Sequence, residues 1–290
     1  MRPIRPICLR VAAAAVALFI LALASHAADA LGVLHLSDRT IEAAILGGDA
    51  EGNLLFEVAS GEGTDALSVP LKDVVAWRGT KEERRRGREA VVLTDGSLIY
   101  GTLLTIGGDT LLLQHAVFGP LQLKMDDIAG IIFDVDAIDI AKLHTAWSGD
   151  SLQAEDTVYT AAGDSVIGVA DLDQAGLSLL SGRAVASVRV RRGTEIIVLG
   201  VSKLAAVRFS PTLKPIAQLE AGGWWMRFAE GTRLRVMRLA AAADQQTECV
   251  LTCGVAIAMP ELAVATDLVA IEHTVDSPRW RLLPSAHCPR

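Results

Sequence analysis

LTDGSLIYGTLLTIGGDTLLLQHAVFGPLQLKMDDIAGIIF, residues 93–133, shows the clearest structural pattern of this 290-residue chain. Short apolar runs alternate with turns rich in Gly and Asp, at Asp95-Gly96 and at residues 107–109. Runs of this kind predict short strands joined by hairpins. Asp95-Gly96 predicts a type I′ turn, since both central positions of that turn need positive φ. In residues 121–125 apolar and polar side chains alternate, which predicts one buried and one wet face.

The same phrase recurs four times along the chain. Each copy opens with an apolar run and a turn rich in acids, Gly, Ser or Thr, and closes with an aliphatic stretch around an acid. The copies open at 36–41, 93–98, 162–166 and 228–234, and close at 69–77, 121–133, 198–209 and 265–271. The third copy carries Ser202-Lys203 in place of the closing acid. Repetition of this kind predicts similar units in one fold, and it builds scaffold or binding surface more often than one active site.

We therefore predict a mainly β protein of four related small β-units in series, each a curled sheet or a small barrel. Short helical or charged joints connect them. The predicted divisions are a signal peptide at 1–30, unit 1 at 31–80, unit 2 with a charged linker and a bridging helix at 81–150, unit 3 at 151–215 and unit 4 at 216–290.

The joints have compositions of their own. Residues 81–89 are almost all charged, which predicts a linker or a solvated turn. Apolar residues at helical spacing predict a short helix over 134–147 that bridges units 2 and 3. They are Val135, Ile138, Ile140, Leu143 and Trp147. Prolines in residues 210–215 mark the third break, because proline interrupts regular strand pairing.

Residues 1–30 have the composition of a secretory signal peptide. Three arginines precede an uncharged apolar run at 11–24, and small residues suited to signal peptidase end at Ala27 or Ala30. A helix of that run spans about 21 Å, less than the ~30 Å hydrocarbon core of a bilayer. We predict an exported protein, periplasmic, in the cell envelope or extracellular. A retained anchor is the alternative.

The mature chain is acidic. The sequence has 27 basic and 34 acidic side chains, and without the three arginines and Asp29 of residues 1–30 there are 24 and 33, a net charge of −9. That charge disfavours nucleic acid and anionic lipid as main partners. Arginines at 84–88 and 189–192 are read as solvated faces, with an anionic polymer as the alternative. We predict no membrane span after the leader, and an envelope protein or a glycan as partner.

Three cysteines follow the leader, at Cys249, Cys253 and Cys288. An odd number does not form a disulfide framework. On one strand Cys249 and Cys253 would lie about 13 Å apart, beyond the ~7 Å between Cα atoms that a disulfide allows. They can pair only across a turn, and Cys288 can pair with either. Burial as small apolar residues is the favoured interpretation, and a disulfide is the alternative.

Few groups are suited to catalysis or to metal binding. Gly163-Asp164-Ser165 resembles the start of a Gly-Asp-Ser-Leu hydrolase motif, but Val166 replaces Leu and the repeat itself explains the triplet. A serine hydrolase using Ser165 is the least favoured alternative. The histidines lack metal-ligand spacing, and the acids at 126–127 and 134–139 lack the Gly and Glu of a calcium loop. We predict no catalytic residue, metal or other cofactor.

Trp224 and Trp225 are the candidate ligand-binding residues. An exposed indole gives a flat apolar surface and one donor, which suits stacking on a sugar ring. Neighbouring residues of a strand point to opposite faces, so one indole is predicted to face the core. Packing in the core or between units is the favoured interpretation of these residues, and ligand binding is the alternative.

The phrase in residues 93–133 and, less closely, in 36–77 resembles exported β-rich regions of planctomycete-type bacterial proteins. Such regions often precede a carbohydrate-binding module, and the resemblance carries no catalytic or binding residue with it. The sequence ends at Arg290 soon after Trp280, so we expect no such module within it. The predicted function is an exported, non-catalytic envelope scaffold or interaction module. A carbohydrate-binding protein using an exposed Trp is the alternative.

Overall fold

The computed structural model describes residues 31–49, 51–60, 63–83, 87–139, 143, 147, 154–172, 178–180, 183–185, 187–210, 223–241, 247–260 and 267–273. It shows a mainly β protein, which confirms the predicted class. Twenty strands form one connected antiparallel sheet, and β13 and β14 form a separate hairpin. The strands are β1 (Leu31–Leu36), β2 (Thr40–Gly48), β3 (Leu54–Ser60), β4 (Gly63–Val69), β5 (Val74–Gly79), β6 (Glu89–Leu93), β7 (Leu98–Gly107), β8 (Thr110–His115), β9 (Gly119–Lys124), β10 (Ile128–Ile132), β11 (Asp156–Thr160), β12 (Ser165–Asp171), β13 (Ser178–Leu180), β14 (Arg183–Val185), β15 (Ser187–Arg192), β16 (Glu195–Gly200), β17 (Leu204–Arg208), β18 (Trp224–Phe228), β19 (Arg233–Ala241), β20 (Thr247–Leu251), β21 (Ala256–Met259) and β22 (Leu268–His273).

Four stretches of the chain, here called segments 1 to 4, have the same strand order. In segment 1 (31–79) β1 to β4 pair in succession, and β5 returns to pair with β1. Segment 2 (89–132) pairs β6 to β10 in this way. Segment 3 (156–208) does so with β11, β12, β15, β16 and β17. Segment 4 (224–273) does so with β18 to β22.

The segments join through their strands. The fifth strand of segment 1, β5, pairs with the fifth strand of segment 4, β22. The fifth strands of segments 2 and 3, β10 and β17, pair in the same manner. One residue pair, Leu98 with Arg233, connects β7 of segment 2 to β19 of segment 4. The spatial order is therefore 1, 4, 2, 3, which differs from the order along the chain.

The opening turns of segments 2, 3 and 4 share one hydrogen-bond pattern. In segment 2 the N–H of Gly96 donates to the carbonyl of Leu93 (2.9 Å), and the N–H of Leu93 donates to that of Ser97 (2.9 Å). Gly96 has a φ of +86°, which favours glycine. The first bond places Thr94 and Asp95 in the central positions. The predicted hairpin is confirmed, but a type I′ turn centred on Asp95-Gly96 is wrong.

Short 3₁₀ turns precede the fifth strands of segments 1 to 3, at Leu71–Asp73, Met125–Asp127 and Val201–Lys203. In segments 2, 3 and 4 a backbone N–H of the opening turn donates to a carbonyl at the predicted closing position. The pairs are Thr94 with Asp127 (2.9 Å), Ala161 with Lys203 (2.9 Å) and Ala229 with Asp267 (2.7 Å). Since these contacts use only backbone atoms, Lys203 serves in segment 3 where the others carry an acid.

One apolar core extends through all four segments. Alternate strand residues face it: in β1, Leu34 is buried whereas Val33 and His35 are exposed. Trp77 is the largest fully buried side chain, and its indole N–H donates to the carbonyl of Ala43 at 3.2 Å. Burial of a large aromatic side chain contributes on the order of 2–3 kcal/mol, and the hydrogen bond removes the cost of burying its donor.

A second apolar cluster covers the outer face of the sheet where β10 and β17 pair, here called the covered junction. Val135, Leu143 and Trp147 are buried there. Leu143 and Trp147 are helical, and the N–H of Leu143 donates to the carbonyl of Asp139 at 2.8 Å. The predicted contact between segments 2 and 3 is thus present, but a helix over the whole of 134–147 is wrong, because residues 134–139 form a turn and a bend. Ile140 falls outside the described residues.

The pairing of β5 with β22 forms a second joint, here called the open junction. The charged linker enters it: residues 81–83 follow β5, and β6 begins at Glu89. Residues 84–86, 211–215 and 1–30, on which the arginine cluster, the proline break and the signal peptide were predicted, lie outside the described residues. Within the described ranges, no helix has the length and apolar content that a membrane crossing requires.

Candidate functional site

Trp224 lies in β18, where segment 4 meets segment 1. It packs against the main core, its indole N–H donates to the carbonyl of Val74 at 2.9 Å, and its ring centroid lies 4.8 Å from that of His273. The side chain therefore ties β18 to the first residue of β5.

Trp225, the second predicted ligand-binding residue, is half-buried. Its position alternates with that of Trp224, so it belongs to the outer face of the sheet. Its cross-strand neighbours are Glu272 of β22 and Arg235 of β19. The structure thus divides the two tryptophans between the core and the outer face of the open junction.

A cleft of about 560 Å³ opens on that outer face. Leu31 and Val33 of β1 give it apolar walls, and Glu42, Arg78 and Glu272 give it charged ones. Leu31 and Val33 are 45% and 38% exposed, which is high for aliphatic side chains. A concave surface with apolar walls and a few polar groups is the ordinary form of a small-ligand site.

A chain of alternating charges crosses the open junction beside the cleft. Glu272 Oε1 lies 3.1 Å from Arg78 Nη2 and 3.0 Å from Arg227 Nη2. In the linker, Glu83 Oε2 lies 3.9 Å from Arg227 Nη1, and Glu83 Oε1 lies 3.0 Å from Arg233 Nη2. Partly exposed pairs of this kind contribute about 0–1 kcal/mol each. This face is therefore compatible with water and with polar ligands.

A buried polar cluster lies where segments 2 and 4 meet, and it brings together residues that lie far apart in the sequence. His115 Nδ1 accepts the backbone N–H groups of Val117 and Phe118, each at 3.0 Å. The ring proton therefore lies on Nε2, which is 2.9 Å from Thr232 Oγ1 and 3.1 Å from Glu230 Oε1. His115 thus joins the turn after β8 to the opening turn of segment 4.

The opening turn of segment 2 makes the reciprocal contact. Asp95 Oδ2 accepts from the hydroxyl of Thr252 (3.1 Å) and from the N–H of Cys253 (3.3 Å), in the turn between β20 and β21. Asp95 Oδ1 accepts the N–H of Ser97 (2.8 Å) in its own turn. Each opening acid therefore faces the turn between the third and fourth strands of the other segment.

Two hydroxyls complete this symmetry. Ser97 Oγ accepts the N–H of Arg235 at 2.9 Å, and Thr232 Oγ1 accepts the N–H of Tyr100 at 3.1 Å. Ser97 and Thr232 are both fully buried. They occupy matching places, each directly after a glycine with positive φ. The contacts of segment 2 on segment 4 thus repeat those of segment 4 on segment 2.

The cluster contains residue types used in catalysis, but it is arranged for packing. A hydroxyl–histidine–acid triad places the hydroxyl and the acid on different ring nitrogens. Here Thr232 and Glu230 both approach Nε2, and the side chains of His115 and Glu230 are 0% and 3% exposed. The contact at 3.1 Å lacks hydrogen-bond alignment, and neither Glu230 oxygen has a hydrogen-bond partner in the described part of the chain. The arrangement can hold two segments together but cannot reach a substrate.

The residues considered for catalysis or for calcium binding, Ser165 and the acids at 134–139, lie apart from one another. Ser165 is exposed at the start of β12, opposite Tyr159. Asp134 accepts the N–H of Asp136 (3.1 Å) and pairs with Arg88 (3.2 Å). Over the residues that the structure describes, no three His, Cys, Asp or Glu side chains form a group able to hold a metal ion.

Within the described residues, Cys249 and Cys253 form no disulfide. Cys249 Sγ lies in the core, 3.2 Å from Met259 Sδ and 3.8 Å from Met226 Sδ. Burial raises the pKa of Cys253 to about 12, with the charge of Asp95 as a further cause. Because the thiolate is the nucleophile, this raised pKa lowers the reactivity of Cys253 at neutral pH. Cys288 lies outside the described residues.

No family model, no curated protein and no solved structure matches this chain.

Proposed function

We propose that this protein is an exported, non-catalytic β-repeat protein that acts as an envelope scaffold or interaction module. The amino-terminal composition supports export. The buried polar groups support a scaffold role, since His115, Thr232 and Asp95 connect segments of the chain. Groups used in this way stabilise the relative placement of segments.

We also propose that segments 1 to 4 are copies of one five-stranded unit. The common strand order, the matching opening turns and their backbone bonds to the closing positions support this organisation. The β13–β14 hairpin is then an insertion between the second and third strands of the third copy. Expression of residues 87–210 alone, which contain segments 2 and 3, tests whether a joined pair of units unfolds cooperatively by itself.

The single observation that carries the scaffold proposal is the reciprocal contact between segments 2 and 4. Asp95 and Glu230 occupy corresponding turns, and each faces the other segment while almost fully buried. Burying a carboxylate is costly, most of all for Glu230, whose oxygens accept no hydrogen bond in the described part of the chain. Since these acids do not line the cleft, their use is in joining segments.

The test is retention of the purified protein on immobilised polysaccharides, peptidoglycan and envelope protein fractions. Specific retention on an envelope protein fraction is the expected result. Retention on one polysaccharide would replace the scaffold proposal by glycan recognition. A serine-directed fluorophosphonate probe provides the check on catalysis, because labelling that Ser165→Ala abolishes would contradict the non-catalytic assignment.

A second candidate function, carbohydrate binding, is favoured by the position of Trp225. Its neighbour Glu272 lines the cleft, and the charged and apolar walls there suit a sugar with polar edges and an apolar face. Trp225→Ala would then lower polysaccharide retention without lowering the thermal stability greatly. Trp224→Phe is the matched control, because that side chain packs against the core.

A further inference from the structure

In the twenty-stranded sheet four strands are open edges within the described part of the chain: β4, β9, β16 and β21 each pair with one neighbour only. Three of them carry features that oppose pairing with another chain. β4 has the exposed Asp65 at its centre, β9 has Pro120 and Lys124, and β21 has four residues and is followed by Pro260. Charges, prolines and short length are the usual protection of sheet edges.

β16 lacks this protection. Its sequence is Glu195–Gly200, EIIVLG, with one charge at its first residue. Ile196 and Val198 are 63% and 59% exposed, the two highest values among the large apolar side chains described. Ile197 and Leu199, which alternate with them, pack against the core. An edge of exposed β-branched residues is a template for addition of another strand.

The sheet beside β16 carries arginines on the next strand and a further exposed aliphatic residue on the strand after it. On its outer face Val169 of β12 pairs with Arg191 of β15, which pairs with Ile196. In the next row Arg189 pairs with Val198. Val169 is 45% exposed. The exposed patch thus has aliphatic residues at the edge and arginines one strand behind it.

We propose that β16 pairs with β16 of a second copy of this chain, antiparallel, with Ile197 opposite Ile197. Two features favour a second copy over another protein. The molecule already joins its own segments by antiparallel edge pairing, over three residue pairs at each of two junctions. In a two-fold pairing about Ile197, residues 196–198 of one copy face residues 196–198 of the other, all of them uncharged. Glu195 lies outside this central stretch, at the end of the strand.

The pairing has a defined register. With Ile197 on the two-fold axis, Ile196 of one copy lies opposite Val198 of the other, and both side chains belong to the outer face. The arginines at 189 and 191 then flank a strip of four aliphatic residues, two from each copy. This inference deepens the proposed scaffold function and rests on it, because it names the partner through which the module assembles.

The experiment is sedimentation velocity of the purified protein over a range of concentrations. We expect a dimer of the wild type. Val198→Lys should weaken the dimer at least about tenfold in Kd, since it places an ammonium group against an aliphatic residue and near Arg189. An equimolar mixture of Val198→Lys with Ile196→Glu should restore dimers, because the register brings the two new charges together.

Val75→Lys is the matched control, since Val75 is a 49% exposed β-branched residue on β5 and should leave the dimer unchanged. Thermal unfolding of each variant verifies that it is folded. A monomeric wild type would overturn the inference, as would a dimer unaffected by Val198→Lys or a mixture that stays monomeric. None of these outcomes alters the result of the envelope-retention test, so failure of self-pairing and failure of the scaffold proposal are distinguishable.

Discussion

The covered and the open junction use the same backbone pairing, but their outer faces differ. At the covered junction Ile132 pairs with Ala206, and both are fully buried in the apolar cluster that contains Trp147. At the open junction Ala76 pairs with Glu272, which binds Arg78 in contact with water. Two identical strand pairings therefore acquire different surroundings from a few outer-face side chains.

The outer-face side chains of a segment decide what that segment contacts beyond the core. Inner-face residues such as Ile131 and Ile271 enter the same core at both junctions. Outer-face residues are free of that constraint. At the covered junction Ile132 and Ala206 pack with Trp147, and Arg208 is buried there because it donates to the carbonyl of Trp147 at 3.1 Å. At the open junction Arg78 and Glu272 form an ion pair that stays partly exposed. The open junction is consequently the face that bears the cleft, and the covered junction bears none of its lining residues.

The largest expected loss of stability comes from removing the Trp147 side chain from the covered junction. Trp147→Ala should lower the free energy of unfolding by about 3–5 kcal/mol, because Trp147 is 3% exposed and its removal leaves a cavity. Trp225→Ala is the matched change on the open junction and should cost less, since Trp225 is only half-buried. Urea unfolding monitored by circular dichroism measures both, and equal losses would show that the two outer faces do not differ.

A smaller effect follows from the close approach of Trp147 to Gly130. A Cβ at Gly130 would contact the indole ring and would lie 2.7 Å from the carbonyl oxygen of Val207. Gly130→Ala should therefore lower the stability by about 1–3 kcal/mol. Gly107→Ala in β7 is the control, because nothing lies near its added Cβ. If both variants unfold at the same urea concentration, Trp147 does not pack closely on Gly130 in solution.

The pH dependence of stability should carry a contribution from Glu89, the first residue of β6. Burial raises the pKa of Glu89 above its ordinary value of 4.5, although the N–H of Leu103 donates to Oε2 at 2.6 Å. Between 4.5 and the raised pKa the folded protein holds a proton that the unfolded chain has released. Stability therefore falls as pH rises through this window.

Glu89→Gln should remove this slope and raise the stability at neutral pH, since the amide oxygen can still accept the N–H of Leu103. Thermal unfolding from acidic to neutral pH measures the effect. Glu57→Gln, a change of the same chemistry on β3 of segment 1, provides the reference. If Glu89→Gln keeps the wild-type dependence of stability on pH, Glu89 is not the cause of that dependence.

The smallest effect is expected at the ion pairs of the open junction. Glu272→Gln removes the charge shared by Arg78 and Arg227, yet the Glu272 side chain is 38% exposed. The loss should be about 0.2–1 kcal/mol at low salt and should disappear at high salt, where screening is strong. A larger loss that persists in salt would mean that this face is covered in solution.

Local features of the fold were predicted from the sequence because they depend on neighbouring residues. The turn at Gly107-Gly108 joins β7 to β8, with a φ of +57° at Gly108, and the closing stretch at 121–133 forms β9, a 3₁₀ turn and β10. The apolar residues of 134–147 also predicted a contact between segments 2 and 3. Period-two alternation and turn composition are sufficient for such predictions.

The site features were predicted only in part. Adjacent strand positions separate Trp224 from Trp225 by simple alternation, but which of them faces the core depends on the partner strands β19 and β22. His115 and Thr232 are separated by 117 residues in sequence, so no local pattern connects them. The one sequence signal for this contact is that Ser97 and Thr232 place a hydroxyl at the same position in the opening turns of segments 2 and 4.

Residues close together in the chain specify that this protein is mainly β, where its turns lie and which side chains alternate toward a core, so these features follow from local sequence alone. The tertiary structure decided the spatial order 1, 4, 2, 3, the burial of Asp95 and Glu230 at a shared contact, and the choice of one outer face for cover and the other for a cleft. These depend on pairing between strands far apart in sequence, which local propensity does not specify.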